Sequence, residues 1–174
     1  MRALVITASN RAARGVYEDT GGPIIVAALQ SLGFRVEGPE VVPDGEPVAA
    51  ALRAAVVADF DIVISTGGTG LTARDLTPEM TRAVIDREIP GIAEAIRAYG
   101  VANGVPTAVL SRGVAGVAGR TVIVNLPGST GGVRDGLKVL SPVLVHAVDQ
   151  VRGGDHPRPA DDPSIGPAPT GGRS

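Results

Sequence analysis

Apolar positions along this 174-residue chain fall into short solid runs separated by stretches with helical spacing. Leu4-Val5-Ile6 and Ile62-Val63-Ile64 are such runs, the pattern of strands buried on both faces. Between them, Pro23 opens a segment at a place where its missing N–H costs nothing. Ile25, Ala28, Leu29 and Leu32 share one face of that segment, and Gly33 supplies a stop. Phe34 to Val42 reads as extended, split into two pieces by Gly38-Pro39. An alanine-rich run from Pro47 to Ala58 predicts a second helix, and residues 61–65 a strand. Helices are expected over 78–88 and 91–99, parted by Pro90-Gly91. Strands are expected at 107–110 and 121–124, joined through Arg112-GVAGVAG by a loop or hairpin. A last helix over 131–151 aligns Val133, Leu137, Leu140, Leu144, Val148 and Val151, with Pro142 marking a kink or a join. Strands alternating with helices predict an α/β sheet covered on both faces.

From Gly153 the pattern stops. GGDHPRPADDPSIGPAPTGGRS holds one large aliphatic residue, Ile165, and cannot build a core. The expectation is a single folded domain over residues 1–152 and a disordered Pro/Gly-rich tail over 153–174. Aromatics make up only 2% of the chain, so the core must consist of Val, Ile, Leu and Ala. Cysteine is absent, which removes disulfides, thiolate metal sites and Cys nucleophiles. With His146 and His156 as the only imidazoles, neither a His-based zinc site nor a Ser-His-Asp triad is supported. A net charge of −2 offers no basic face for nucleic acid. No apolar run approaches the roughly 20 residues of a membrane span, and MRALVITAS is too short for a signal peptide. A cytoplasmic protein without membrane or nucleic-acid partners is expected.

The strand at 61–65 runs into Thr66-Gly67-Gly68-Thr69-Gly70. In open α/β sheets, ligands collect beyond the carboxyl ends of the strands. Glycines there can take positive φ and aim successive N–H groups at one point, a nest for an anion; Thr66 and Thr69 add hydroxyls without charge. A Walker loop fails, because no Lys follows. A dinucleotide motif competes, since Gly68, Gly70 and Ala73 fit G-x-G-x-x-A, but Thr77-Pro78 places the helix start too late. Asp75 lies between the nest and that helix, and Asp44 ends another strand in Val42-Pro43-Asp44-Gly45. Each suits an ordinary cap or turn. Together beside an anion nest, two carboxylates suit a divalent cation that reverses the sign of the site. A second glycine and hydroxyl loop, Asn125-Leu126-Pro127-Gly128-Ser129-Thr130, leads into a helix N-terminus, which favours anions; two such loops suggest a ligand with more than one phosphate. Ser9, Arg11, Arg14, Tyr17 and Asp19 leave the first strand on the same side, and Ser111-Arg112 follows the 107–110 run.

These segments together resemble the molybdenum cofactor biosynthesis MogA/MoaB family, which comprises molybdopterin adenylyltransferases, MoaB-type proteins and the gephyrin G domain. The matching stretches are SNRAARGVYEDTGGP, VPD, STGGTGLTARDLTPE, EIPG, LSRGVAGV and NLPGS, in family order over about residues 3–150. The resemblance implies a three-layer α/β/α sandwich with a mostly parallel central sheet, assembled as a homotrimer. It implies Mg²⁺-dependent transfer of AMP from ATP to molybdopterin, giving adenylyl-molybdopterin and pyrophosphate. Asp44 and Asp75 take the family's acidic positions and are the candidate metal ligands. Thr66, Gly67, Gly68, Thr69, Gly70, Ser111, Asn125, Pro127, Gly128 and Ser129 fall where the family lines its pocket. Ser9, Arg11, Tyr17 and Asp19 are the candidates for a nucleotide or substrate loop. GVYEDTGGP resembles the adenylyltransferase branch and LSRGVAGV with NLPGSTGGVRDGL the MoaB type. The alternatives are therefore a MoaB-type molybdopterin-binding protein without adenylyltransferase activity and, from a third class, a trimeric structural module.

Overall fold

Solid apolar runs become the central strands of one six-stranded sheet. β1 (Arg2–Ala8), β3 (Ile62–Thr66) and β6 (Thr121–Leu126) lie side by side and parallel. β3 and β6 are buried at every position, as strands covered on both faces must be. β2 (Arg35–Val42) adds to β1 in parallel on one edge. On the other, β5 (Ala115–Ala118) runs antiparallel to β6 and carries the two-residue β4 (Arg87–Glu88). The computed structural model describes residues 1–16 and 18–154. Tyr17, and the expected tail apart from Gly153 and Gly154, lie outside the described residues.

Parallel pairing requires crossovers, and helices, both those in the crossovers and those after the last strand, cover both faces. They are α1 (Gly22–Ser31), α2 (Glu46–Val57), α3 (Thr77–Arg82), α4 (Pro90–Ala102), α5 (Thr130–Leu140) and α6 (Leu144–Val151). On one face Ile25 and Leu29 of α1, Ile96 of α4, Val133 and Leu140 of α5 and Val148 of α6 pack on Val5, Ile62, Ile64 and Val124. On the other, Val48, Leu52 and Ala55 of α2, with Met80 of α3, pack on Ile6, Val63 and Ile123. Alternate residues of a strand face opposite layers, so Ile62 and Ile64 serve one layer and Val63 the other. Each fully buried aliphatic of this kind contributes about 1.5–3 kcal/mol. The result is the expected three-layer α/β/α fold with a mostly parallel sheet.

Local expectations are corrected in three places and met in a fourth. Residues 107–110 form no strand: Pro106–Leu110 is a 3-10 helix, held by Ala108 N–H to the Val105 carbonyl (3.0 Å) and Ser111 N–H to the Ala108 carbonyl (3.2 Å). The strand is Ala115–Ala118 instead, turning through Gly119 at φ 56° into β6. The helix expected over 78–88 stops at Arg82 because the chain is drawn to the free edge of β5: Asp86 N–H donates to the Val117 carbonyl (2.8 Å) and Ile89 N–H to the Ala115 carbonyl (2.7 Å). Gly38-Pro39, a cis peptide, does not split β2; the irregularity is a register shift opposite Leu4 and Ile6. An edge strand tolerates a proline because one row of its N–H groups needs no partner. Pro142 does mark a join, since α5 ends at Leu140 and α6 starts at Leu144.

The amino ends of the strands are bolted by charge. The buried Asp61 carboxylate accepts the Arg2 N–H and pairs with Arg152 at the end of α6. That leaves the opposite edge for chemistry. β1 sends its crossover to β2 on one side, and its other neighbour is β3, so the order reverses between β1 and β3 and opens a crevice beyond their carboxyl ends. Because β5 is antiparallel, its entrance at Ser111 to Val114 reaches the same edge. Among the described residues no helix is long and apolar enough to cross a membrane.

Candidate functional site

The glycine turn after β3 is built from backbone. Gly67 and Gly68 hold φ of 92° and 62°, the left-handed region where a side chain is strained. Neither has room for one. A Cβ on Gly67 would strike the Ala8 carbonyl, and one on Gly68 the Asp44 carboxylate and the Thr77 hydroxyl. The Thr66 hydroxyl donates to the Pro127 carbonyl (2.7 Å) and the Gly67 N–H to the Leu126 carbonyl (3.3 Å), so the turn is tied to the loop after β6. The Gly68 carbonyl accepts the Thr77 N–H (3.2 Å) and the Thr69 carbonyl the Arg112 N–H (2.9 Å). Among the described residues the amides of Gly68, Thr69 and Gly70 meet no acceptor, the condition for an anion nest.

Both carboxylates lie against this turn. Asp44 Oδ1 accepts the Gly45 N–H (2.7 Å) and the Thr77 hydroxyl (3.0 Å), and Oδ2 accepts the Leu76 N–H (3.1 Å). It thereby ties down the start of α3 from a loop more than 30 residues upstream. Asp75 Oδ2 accepts the N–H (2.9 Å) and hydroxyl (2.7 Å) of Thr72 and would lie 2.9 Å from a Cβ on Gly70. A local structural role and a place beside the glycine turn therefore coexist. Each carboxylate oxygen offers about two acceptor directions. Asp44 Oδ1 and Asp75 Oδ2 are filled, while Asp44 Oδ2 and Asp75 Oδ1 keep capacity. Among the described residues no cluster of three or more His, Cys, Asp or Glu side chains could hold a metal. Two carboxylates fit Mg²⁺, which binds through one or two of them and takes its remaining oxygens from water and phosphate.

The other expected residues divide. Asn125 is nearly fully buried beneath the rim: its Oδ1 accepts the Val114 N–H (3.2 Å), and its Nδ2 donates to Ser65 and Thr81 (both 2.9 Å). It braces β6 to β3 and α3. Ser129 caps α5, its Oγ accepting the Gly132 N–H (3.1 Å). Gly128 approaches Gly67 so closely that a Cβ there would lie 3.2 Å from the Gly67 Cα. Asp19 caps α1 through the N–H groups of Gly21 (3.1 Å) and Gly22 (3.0 Å) and accepts the Thr7 hydroxyl (2.8 Å). Ser9 Oγ accepts the Ala12 N–H (3.1 Å), and Arg11 sits in the exposed turn that follows. Ser111 Oγ lies 3.4 Å from Thr69 Oγ1. Arg112, read from the sequence as one more rim arginine, instead runs behind the turn, with Nε on the Gly70 carbonyl (2.7 Å), Nη2 on the Asp75 carbonyl and Nη1 on Glu79. That hydrogen bond, more than the nearby charge, holds the Glu79 carboxyl below its ordinary range. No local spacing announces these contacts, which reach back 33 to 42 residues.

Two hollows meet at the Gly67–Gly128 contact. One, of about 130 Å³, is lined by Thr7, Ser9, Asp19, Gly21, Thr66 and Gly67 at the reversal point of the sheet. The other, of about 410 Å³, is lined by Gly68, Thr69, Gly70, Asp75, Ser111, Pro127 and Ser129. An apolar recess of about 240 Å³ opens beside it, walled by Ile96, Gly100, Val105 and Ala108. Asp75 lines the larger hollow, while Asp44 lines neither and sits against Gly68. Amides, hydroxyls and a helix N-terminus are groups that suit phosphorylated ligands. The arrangement offers charge neutralisation and positioning, with no Cys to serve as nucleophile.

Comparison with known proteins places the chain in a family. The probable molybdopterin binding domain family matches residues 4–146. A molybdopterin adenylyltransferase of Helicobacter pylori is 36% identical over 86% of this chain and 86% of its own. The chain also spans 50% of the length of a bifunctional molybdenum cofactor biosynthesis protein of Chlorobaculum tepidum, at 37% identity over 89% of this chain. Among solved structures, the molybdopterin biosynthesis Mog protein of Mycobacterium ulcerans superposes with a TM-score of 0.82 at 58% identity, over 86% of this chain and 98% of that one. The molybdopterin biosynthesis enzyme MoaB of Thermus thermophilus superposes at 0.81 with 45% identity, over 87% and 96%. The chain belongs to the family of probable molybdopterin binding domains of molybdenum cofactor biosynthesis.

Proposed function

We propose that this protein transfers AMP from ATP to the terminal phosphate of molybdopterin in a Mg²⁺-dependent reaction, giving adenylyl-molybdopterin and pyrophosphate. The observation that carries the reading is the pair of hollows meeting at a glycine turn, with Asp44 and Asp75 packed against that turn. In this reaction an oxygen of the molybdopterin phosphate forms a bond to the α-phosphorus of ATP. The bond from that phosphorus to the α–β bridging oxygen breaks, and its electron pair leaves with pyrophosphate. No protein nucleophile is required. Asp75 and Asp44 Oδ2 would hold Mg²⁺, whose role when bound is to neutralise phosphate charge. The amides of Gly68, Thr69 and Gly70 bind phosphate oxygens, Thr69 and Ser111 add hydroxyl donors, and the N-terminus of α5 orients the anions. Such fixed donors act mainly by positioning and by meeting charge as it develops.

The test is AMP transfer by purified protein supplied with ATP and molybdopterin. Turnover is expected with Mg²⁺ and not with EDTA, and Asp75→Asn is expected to lose it while still binding both ligands. Wild-type rates in that variant would refute the carboxylate's role. Binding of molybdopterin without turnover in the unmutated protein would assign the chain to the MoaB-type alternative. A homotrimer in the cytoplasm accompanies the proposal on the strength of the MogA/MoaB resemblance, and light scattering reads the trimer directly.

A further inference from the structure

We propose that Arg112 is the positioning residue of this site, clamping the glycine turn and the Asp75 peptide as one unit against the entrance of β5. The proposal rests on the phosphate-transfer reading above and adds to it a residue behind the rim.

The segment from Gly70 to Asp75 needs an external hold. Leu71, Thr72, Ala73 and Arg74 are all exposed, and the internal hydrogen bonds of the segment are local, among Thr72, Arg74 and Asp75. Gly70 brings no side chain to pack. Asp44 secures the downstream end through Leu76 and Thr77. Arg112 secures the rest at four points: its N–H on the Thr69 carbonyl (2.9 Å), Nε on the Gly70 carbonyl (2.7 Å), Nη2 on the Asp75 carbonyl, and Nη1 on the Glu79 carboxylate of α3. A planar fork spreads its donors over three nitrogens in fixed directions and so reaches three separated acceptors at once; a lysine ammonium carries its three donors on one nitrogen.

The anchor is itself anchored. Arg97 of α4 donates to the carbonyls of Ser111 (3.3 Å) and Gly113 (3.2 Å), the two residues flanking Arg112. Arg112 does not line the hollow that contains Asp75. It lines a groove behind the rim with Arg82, Pro90, Ala93 and Arg97. Its work therefore passes through the turn and not through contact with ligand, which separates it from a phosphate-binding arginine.

The experiment compares Arg112→Ala and Arg112→Lys with Arg82→Ala, whose Glu88 pair lies on the surface. A misplacement of about 1 Å in a positioning element can cost about 10²-fold in rate. Arg112→Ala is accordingly expected to lose AMP transfer by that order, with a smaller change in KM for ATP and a several-fold higher Mg²⁺ concentration for half-maximal rate. Arg112→Lys should fall between it and wild type. Millimolar guanidinium chloride should restore part of the activity of Arg112→Ala and none to Arg82→Ala, which keeps its rate throughout. A rate and Mg²⁺ requirement equal to wild type in Arg112→Ala would overturn the proposal. So would a loss matched by a collapse in melting temperature and unrelieved by guanidinium. If Arg112→Ala does not fold, Arg112→Lys carries the same readouts. If the wild-type protein transfers no AMP, the catalytic reading fails and the clamp is judged by calorimetry with Mg²⁺-ATP: at least tenfold weaker binding in Arg112→Ala supports it, and equal binding overturns it.

Discussion

Two neighbouring strands, β3 and β6, end at the same height, with Thr66 paired to Leu126, yet the loops that leave them are held in opposite ways. The loop after β6 is held by its own side chains: Ser129 caps the helix it opens, and Asn125 at its base reaches the buried hydroxyls of Ser65 and Thr81. The loop after β3 is held by side chains of other segments, by Asp44 from one side and Arg112 from the other. A turn made of glycines cannot stabilise itself through side chains, so its shape is borrowed from residues more than 30 positions away. The turn with least intrinsic order is the one on which two long-range ties converge, and it carries the candidate nest.

The largest effect that can break this contrast comes from one methyl group placed on the glycine turn and one on the helix that the other loop opens. Gly68→Ala puts a Cβ at φ 62° against the Asp44 carboxylate and the Thr77 hydroxyl. Backbone strain of this kind costs about 1–3 kcal/mol, and the displaced tie adds to it. Gly131→Ala, in the first turn of α5, meets nothing within 4 Å and removes a poor helix former, whose deficit against alanine reaches about 1 kcal/mol. Thermal melts should move in opposite directions, down for Gly68→Ala and level or up for Gly131→Ala. Equal shifts would show that the two loops are held alike.

The same division separates what the sequence discloses from what it conceals. Ile62-Val63-Ile64 and the stripes through Ile25 and Leu29 or Val133, Leu137 and Leu140 are periodic over a few residues, so strands, helices and layers are legible. The meeting of Asp44 with the glycine turn also follows, because loops leaving parallel strands at their carboxyl ends share an edge. The 107–110 run misleads for a physical reason: Thr-Ala-Val-Leu has more strand character than Ala-Gly-Val-Ala, yet the latter fills the slot beside β6. Strand preference reflects fit to a half-built surface more than the backbone itself. Ser111 still reaches the rim, because β5 enters the sheet antiparallel and not because a strand precedes it. Asn125 reads as a pocket residue from its loop, but its place under the rim depends on Ser65 and Thr81. Arg112 carries no local signature at all.

Ser129→Ala sharpens the comparison at a smaller scale. Loss of an N-cap hydroxyl costs about 1 kcal/mol, within a range of about 0.5–2. The N–H it leaves behind, at Gly132, belongs to an exposed serine cap that water can reach. The expected result is a modest drop in melting temperature, with no change in the Mg²⁺ concentration needed for half-maximal transfer, since this loop does not hold Asp75. A shift in the Mg²⁺ requirement as large as that of an Arg112 variant would mean that the two loops act as one element.

The smallest effect belongs to the tie between Arg112 and Glu79. The hydrogen bond from Arg112 keeps the Glu79 carboxyl below its ordinary range. A carboxyl whose folded pKa lies below its unfolded one contributes stability above the unfolded value, about 4.3 for Glu, and loses it as pH falls through the folded value. Both side chains are partly exposed, so solvent screens the pair and its worth stays within about 0–1 kcal/mol. Wild type should therefore melt slightly above Glu79→Gln at pH 7, and the gap should close when both are acidified below the folded pKa. Half-molar salt should narrow the gap at pH 7 in the same way, because exposed charges are screened within a few ångströms at high ionic strength. A gap that persists in acid would place the contribution of Glu79 in packing, and leave the carbonyls of Thr69, Gly70 and Asp75 as the contacts through which position 112 grips the turn.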